Sequence, residues 1–235
     1  MAYCPLRPYM KCPLHMMNNI NREETFDKED RNNEEERQAG FSFVRFLHAS
    51  PNAPALDIYI DNMKAVSNLT YASIAGYAAL PATIHDIAVY PLGQTDTPLT
   101  QFTINPSRDS YRTIVIAGLS PNIQSRIYVD SGELIPGNES RIRFVHMSPR
   151  APALDVVDET GRALFSGVTF GRVAEYISVE PNIYTLRVLI AGTPNVVLGL
   201  PQLTFRGGRA YTIYAIGLLG ASPPLTAVVL ADGRR

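Results

Sequence analysis

The chain has 235 residues, a formal net charge of −1 and 46% hydrophobic residues. The near-neutral balance removes an electrostatic case for binding nucleic acid or an anionic membrane. No run of about 18 apolar residues is present to span a bilayer, and the only two cysteines, Cys4 and Cys12, leave the rest to fold by packing rather than disulfides.

Residues 1–20 are rich in Pro, Met, Cys and Tyr, with prolines and charges where a signal peptide needs an apolar run. Three readings of this segment stand side by side. Cys4 and Cys12 are free thiols in a tail. Alternatively, the segment is an assembly arm. Tyr3, Leu6, Tyr9, Met10, Leu14, Met16 and Met17 have no local core, so they dock on a neighbouring subunit by strand addition, and the cysteines lock the contact by intermolecular disulfides. The third reading is a metal site of Cys4, Cys12 and His15, against which stands the lack of a short Cys-x-x-Cys knuckle. The assembly arm, with Tyr3, Cys4, Tyr9 and Cys12 at the contact, is the preferred expectation, and no metal or cofactor is assigned. Residues 21–39 hold eight acids and four bases with one large apolar residue, Phe26. Such a run cannot bury a face, and it reads as a solvated linker or a short exposed helix. Residues 1–40 are therefore arm and linker.

From Phe41 the pattern changes to short apolar-alternating runs separated by Gly, Pro, Asn and Asp. Strands are expected at 43–48, 56–60, 64–69, 76–80, 84–90, 99–104, 111–117 and 125–129. After the link at 134–138 they recur at 141–147, 154–157, 163–168, 175–179, 183–190, 196–203, 209–217 and 225–231. No run keeps a helical period. Seven or eight strands in about 95 residues is the size of an immunoglobulin or fibronectin type III sandwich. Two all-β antiparallel sandwiches are expected, over 41–136 and 137–235.

The halves repeat each other. Val44 to Ile58 reads VRFLHASPNAPALDI, and Ile142 to Val156 reads IRFVHMSPRAPALDV. His48 and His146 are 98 residues apart, as are Pro51 and Pro149, Pro54 and Pro152, and Asp57 and Asp155. Further echoes are Tyr71 with Phe170, Tyr77 with Tyr176, Ile84, Ile87 and Val89 with Ile183, Leu186 and Val188, and Tyr111 with Tyr211. The alternation of these positions marks them as inward-facing. In the first strand of the phrase the apolar residues face one way and Arg45 the other. The second half has no lysine, which argues against modules that each carry a Lys–Asn isopeptide bond.

His48, Ser50 and Asp57 invite a hydrolase reading as base, nucleophile and orienter. Against it, no Gly-x-Ser-x-Gly elbow is present, Ser before Pro is restrained to extended backbone, and the set occurs twice. The preferred reading is structural. Two prolines deprive the turn of donors, and the histidine and aspartate hydrogen-bond its backbone.

The string FVRFLHASPNAPALDIYID, followed by Leu69-x-Tyr71, Tyr77 and the strand at 84–90, resembles the bacterial and archaeal domain of unknown function 4397. The resemblance extends over residues 43–235, with Met147 and Val157-Asp158 as departures in the second copy. It implies an immunoglobulin-like sandwich in a surface or envelope protein and carries no catalytic residues. The expected function is a non-enzymatic structural or adhesive protein at the cell or spore surface, in which two sandwiches form a rod or a polymerising subunit. The rival expectation is a binding module for a glycan or small ligand, with Tyr59, Tyr71, Tyr77 and Tyr90 as contacts and no Trp to stack a sugar.

Overall fold

The computed structural model describes residues 40–233, which fall within one compact unit. Cys4, Cys12, Tyr3 and Tyr9, and the assembly expectation placed on them, lie outside the described residues. Among the described residues there are sixteen strands and no helix. The first repeat contributes β1 (Phe41–His48), β2 (Leu56–Ile60), β3 (Met63–Leu69), β4 (Ile74–Pro81), β5 (His85–Pro91), β6 (Thr100–Ile104), β7 (Tyr111–Leu119) and β8 (Asn122–Asp130). The second contributes β9 (Ser140–His146), β10 (Leu154–Val157), β11 (Ala163–Val168), β12 (Ile177–Val179), β13 (Asn182–Ile190), β14 (Val196–Phe205), β15 (Arg209–Ile216) and β16 (Thr226–Asp232).

These strands form four four-stranded sheets, and no sheet mixes the repeats. The first repeat stacks β4-β1-β7-β8 on β3-β2-β5-β6, and the second stacks β12-β9-β15-β16 on β11-β10-β13-β14. The ladders are not wholly antiparallel as expected: β1 pairs with β7, and β9 with β15, in parallel. The five strands between the members of each pair cross to the second sheet and back, giving the long connection that a parallel pair needs.

Period-2 alternation builds the core of each sandwich. Val44 and Phe46 meet Leu56, Ile58, Ile87, Val89, Ile114 and Ile116 in the first. Ile142 and Phe144 meet Leu154, Val156, Leu186, Val188 and Ile213 in the second. A third cluster lies between the repeats: Leu47, Ala49, Val115, Ala117 and Tyr128 pack on Val145, Met147, Tyr214 and Ile216. Leu47 therefore shares the face of Arg45 rather than that of Val44 and Phe46. Strands β1, β7, β9 and β15 are buried on both faces, which is why Ile114–Ala117 and Ile213–Ile216 are unbroken apolar runs rather than alternating ones.

Two sandwiches joined by a short link are expected to form a rod or a polymerising subunit. Within the chain they are not strung as a rod: β4-β1-β7-β8 faces β12-β9-β15-β16 across the third cluster, so the order of layers is outer sheet, inner sheet, inner sheet, outer sheet. Ile84 and Ile183, expected to face inward, are 66% and 60% exposed. Each lies an odd number of residues before the inward-facing Ile87 and Leu186, so the pleat turns it outward.

Candidate functional site

In the phrase, β1 ends at His48, and the two prolines carry the chain across to β2 in the other sheet. His48 is fully buried. Its Nε2 bonds Pro54 O at 3.0 Å, and its Nδ1 accepts the Ser50 N–H at 3.3 Å. A ring that accepts at Nδ1 and faces a carbonyl at Nε2 is the neutral Nε2–H tautomer. The Ser50 hydroxyl donates to Gly118 O at 2.8 Å, not to the imidazole. The second copy repeats each contact: His146 with Pro152 O (3.0 Å) and Ser148 N (3.2 Å), and Ser148 Oγ with Gly217 O (2.6 Å). Burial lowers the pKa of both histidines, against the opposing pull of the carbonyl bond.

Asp57 takes part in a different cluster. Its carboxylate accepts from Asn68 N (3.0 Å), Gly93 N (3.2 Å), Ser67 Oγ (3.1 Å) and Lys64 Nζ (2.6 Å). The lysine contact, then the backbone and serine donors, hold its pKa well below the usual carboxylate range despite burial. Asp155 accepts from Gly167 N (2.6 Å) and Gly192 N (2.9 Å). Asn68 and Gly167 occupy matching left-handed positions, with φ of 57° and 64°, tolerated by Asn and Gly. In both repeats the aspartate thus ties a bulge in the edge strand to the turn after β5 or β13. Histidine, serine and aspartate are held in separate hydrogen-bond sets. Pro51, Pro54, Pro149 and Pro152 lie in the crossings.

The face between the repeats carries a set of charged residues that sequence reasoning does not single out. Arg45 and Arg143 are 3% and 4% exposed. Arg45 reaches out of the first repeat, where Nη2 donates to Asp232 and Nη1 to Ala231 O at 2.7 Å; within its own repeat Nε donates to Thr113 Oγ1 at 2.7 Å and Nη2 lies 3.6 Å from Asp130. Arg143 reaches out of the second in the same way, to Asp130 and to Val129 O at 2.7 Å, and within its own repeat Nε donates to Thr212 Oγ1 at 2.7 Å. Each aspartate is also held within its own repeat. Tyr77 Oη donates to Asp130 at 2.6 Å and Tyr176 Oη to Asp232 at 2.6 Å, and Thr113 and Thr212 donate to the same carboxylates. Each guanidinium lies over the tyrosine of its own repeat, 4.4 Å from the Tyr77 centroid and 4.5 Å from that of Tyr176. The contacts are reciprocal, so the repeats are related by a pseudo-twofold axis.

Electrostatics follow the geometry. Burial opposes the charge on Arg45, yet Asp130, Tyr77 and Asp232 outweigh it and raise its pKa. Burial, and then the neighbouring Asp232 carboxylate, raise Asp130 against the pull of Arg45 and Arg143. Burial raises Tyr77 and Tyr176 as well, aided by Asp130 and Asp232, so both phenols stay protonated donors. The arginine head groups also bond carbonyls of β16 and β8, the outermost strands of the inner sheets, occupying groups that an incoming strand would use.

The two phrases meet at one end of this face. Tyr71 packs edge-on against His48, and its Oη would lie 3.1 Å from a Cβ on Gly217 of the other repeat. Phe170 packs edge-on against His146, and Tyr128 Oη donates to Gly171 O at 3.0 Å across the face. Tyr71 and Tyr77 are therefore interface residues rather than ligand contacts, whereas Tyr59 and Tyr90 form an edge-to-face pair (5.4 Å) on the outer sheet of the first repeat. Two grooves flank the face. One, about 240 Å³, is lined by Arg45, Tyr77 and Asp232; the other, about 310 Å³, by Arg143, Tyr176, Ile127 and Val129. Among the described residues no group of three or more His, Cys, Asp or Glu is placed to hold a metal ion, and no helix is long and apolar enough to cross a membrane.

A family model described as Domain of unknown function (DUF4397) matches residues 42–157, the first repeat and the opening of the second. The match supports the family resemblance. No curated protein matches the chain. A solved structure, "The Bacillus anthracis TIE protein", is similar at 11% identity with a TM-score of 0.24, over 83% of this chain and 44% of that one. The chain thus spans less than half the length of that protein.

Proposed function

We propose that the protein is a non-enzymatic structural or adhesive subunit of a cell or spore surface. It is built from two copies of one domain and self-associates through the segment that carries Cys4 and Cys12. The observation that supports this reading is where the phrase spends its chemistry. In both copies the histidine ring nitrogens, the serine hydroxyl and the aspartate carboxylate are committed to backbone groups of the fold. An arrangement kept twice, with every reactive group engaged, serves architecture rather than turnover. Two sandwiches locked face to face make a stiff body that suits a surface subunit. Gel electrophoresis of native material without reductant tests the reading, together with light scattering of the full chain and of a Cys4→Ser, Cys12→Ser variant. Disulfide-linked oligomers that collapse in the variant are expected. A full chain that stays monomeric throughout defeats the reading.

One observation favours a second reading, a glycan-binding face. Tyr59 and Tyr90 lie on the outer sheet of the first repeat, where the second repeat has Val157 and Leu189 in the matching places. Aromatic faces of this kind stack on sugar rings. Binding on a glycan array that Tyr59→Ala abolishes without lowering the unfolding temperature is the outcome this reading requires.

A further inference from the structure

We propose that the crossed face between the repeats is also a self-association surface, through which the first repeat of one copy of this chain takes the second repeat of another. The inference rests on the self-association reading above, but it uses a different surface from the arm.

Each repeat has a core of its own. Buried residues of the first core run from Val44 to Ile123, and those of the second from Ile142 to Leu225, with no residue shared. Separating the repeats therefore leaves both sandwiches filled and uncovers only the third cluster and the two Arg–Asp crossings. An uncovered face of this kind needs a partner. Leu47, Val115 and Tyr128 on one side, and Val145, Met147, Tyr214 and Ile216 on the other, would be left as apolar patches in water, which do not stay exposed at no cost.

The partner is specified by chemistry rather than by connectivity. Arg45 recognises an aspartate, a carbonyl and an apolar surface at the end of β16, and Arg143 recognises the same set at the end of β8. A second copy presents the same groups. Only residues 131–139, between the end of β8 and the start of β9, mark the two repeats as parts of one chain, and Leu134 within them is 91% exposed. Because the face joins unlike halves, exchange between two copies closes into a dimer, and exchange without closure leaves one free half at each end and propagates.

Complementation between two full-length variants, both carrying Cys4→Ser and Cys12→Ser, tests this. Arg45→Ala leaves Asp232 without the arginine it pairs with, and Asp232→Ala leaves Arg45 with only the longer 3.6 Å contact to Asp130 of its own repeat. A buried charge that has lost its partner is destabilising, and removing both members of a pair costs less than leaving one of them buried without the other. In an exchanged pair, the Arg45→Ala half meets the Asp232→Ala half, and the native Arg45 meets the native Asp232, so no charge is orphaned. The variants are unfolded together in denaturant, refolded at high concentration, and read by light scattering and thermal unfolding. A 1:1 dimer is expected, unfolding above either variant alone. The double variant Arg45→Ala, Asp232→Ala, refolded when dilute, should be monomeric. As a second measurement, wild-type chains labelled with donor and acceptor dyes are co-refolded, and energy transfer should appear in a concentration-dependent dimer fraction. Monomers alone in both experiments overturn the proposal, even if disulfide-linked oligomers of the unmodified chain uphold the arm. A dimer that forms without the cysteines upholds it, even if the arm forms no disulfide.

Discussion

A histidine that accepts a backbone N–H at one nitrogen and donates to a backbone carbonyl from the other has no place for a second proton. His48 and His146 are both in that state, and burial depresses both pKa values. The unfolded chain protonates near the ordinary value of 6.5, the folded chain only below it. Stability supplied by the two rings is therefore complete above that value and is lost as pH falls through it. The urea midpoint should drop between pH 7.5 and pH 5.5, and the drop should shrink in a His48→Gln, His146→Gln variant. Asp130 works in the opposite sense: its raised pKa favours the protonated folded form, so its contribution grows as pH falls. Asp57, held low, stabilises above the usual carboxylate range near 3.8 and loses that contribution as pH drops below it. Asp57→Asn should cost about 2 kcal/mol by urea denaturation. Asp155→Asn should cost less, since Asp155 accepts from two backbone amides without a lysine or serine. The phrase made these residues visible, because duplication marks them. Arg45 and Arg143 are duplicated at the same offset, but an arginine opposite an apolar strand face reads as solvent-exposed when only one sheet is considered. Asp130 and Asp232 carry a fainter signal, each ending the last strand of its repeat.

All sixteen strands were legible as short apolar-rich runs between turn residues, and the edges were the least distinct. β12 spans only Ile177–Val179, against an expected start at Glu175. Ala174 N–H bonds Phe144 O, and Val145 bridges Val173, so the chain stays beside β9 without a regular ladder. The expectation of purely antiparallel ladders missed the β1·β7 and β9·β15 pairs, because strand direction is set by how often the chain changes sheet, which local periodicity does not encode. The turn after β15 shows how closely such elements approach. Gly217 has φ +88°, and a Cβ there would lie 2.2 Å from Pro224 O. Gly76, in β4, has open space around it and no positive φ. Gly217→Ala should destabilise by more than about 2 kcal/mol, from strained backbone and overlap together. Gly76→Ala should stay within about 0.5 kcal/mol of the parent. Chemical denaturation of the two variants side by side makes the comparison, and equal losses would contradict the close approach at Gly217.

At the scale of the molecule, the repeat announced two modules and left their relation open. A five-residue link is compatible with a rod or with a folded-back pair. The choice lies in residues buried on the second face of a strand, such as Leu47, Val115, Val145 and Tyr214. Their excess over what one sandwich needs is a signal only when strands are counted as doubly buried. The consequence is thermodynamic coupling. The third cluster is fully formed only when both inner sheets are folded, and the Arg45–Asp232 and Arg143–Asp130 pairs each need one member from each repeat. If one sandwich unfolds, the other exposes its half of the cluster and loses both ion pairs that cross the face. Exposing fully buried side chains such as Leu47 and Val115, or Val145, Met147 and Ile216, costs about 1.5–3 kcal/mol each, and the sum is comparable with the stability of a small domain. The half-unfolded state is therefore too high in free energy to accumulate. Calorimetry of the full chain should give one transition over residues 40–233, with the calorimetric enthalpy equal to the van't Hoff enthalpy. Arg45→Ala with Arg143→Ala removes both crossings, lowers the penalty for separation and should split the trace into two transitions, one per sandwich. Two transitions in the parent protein would mean that the face contributes too little to couple the repeats.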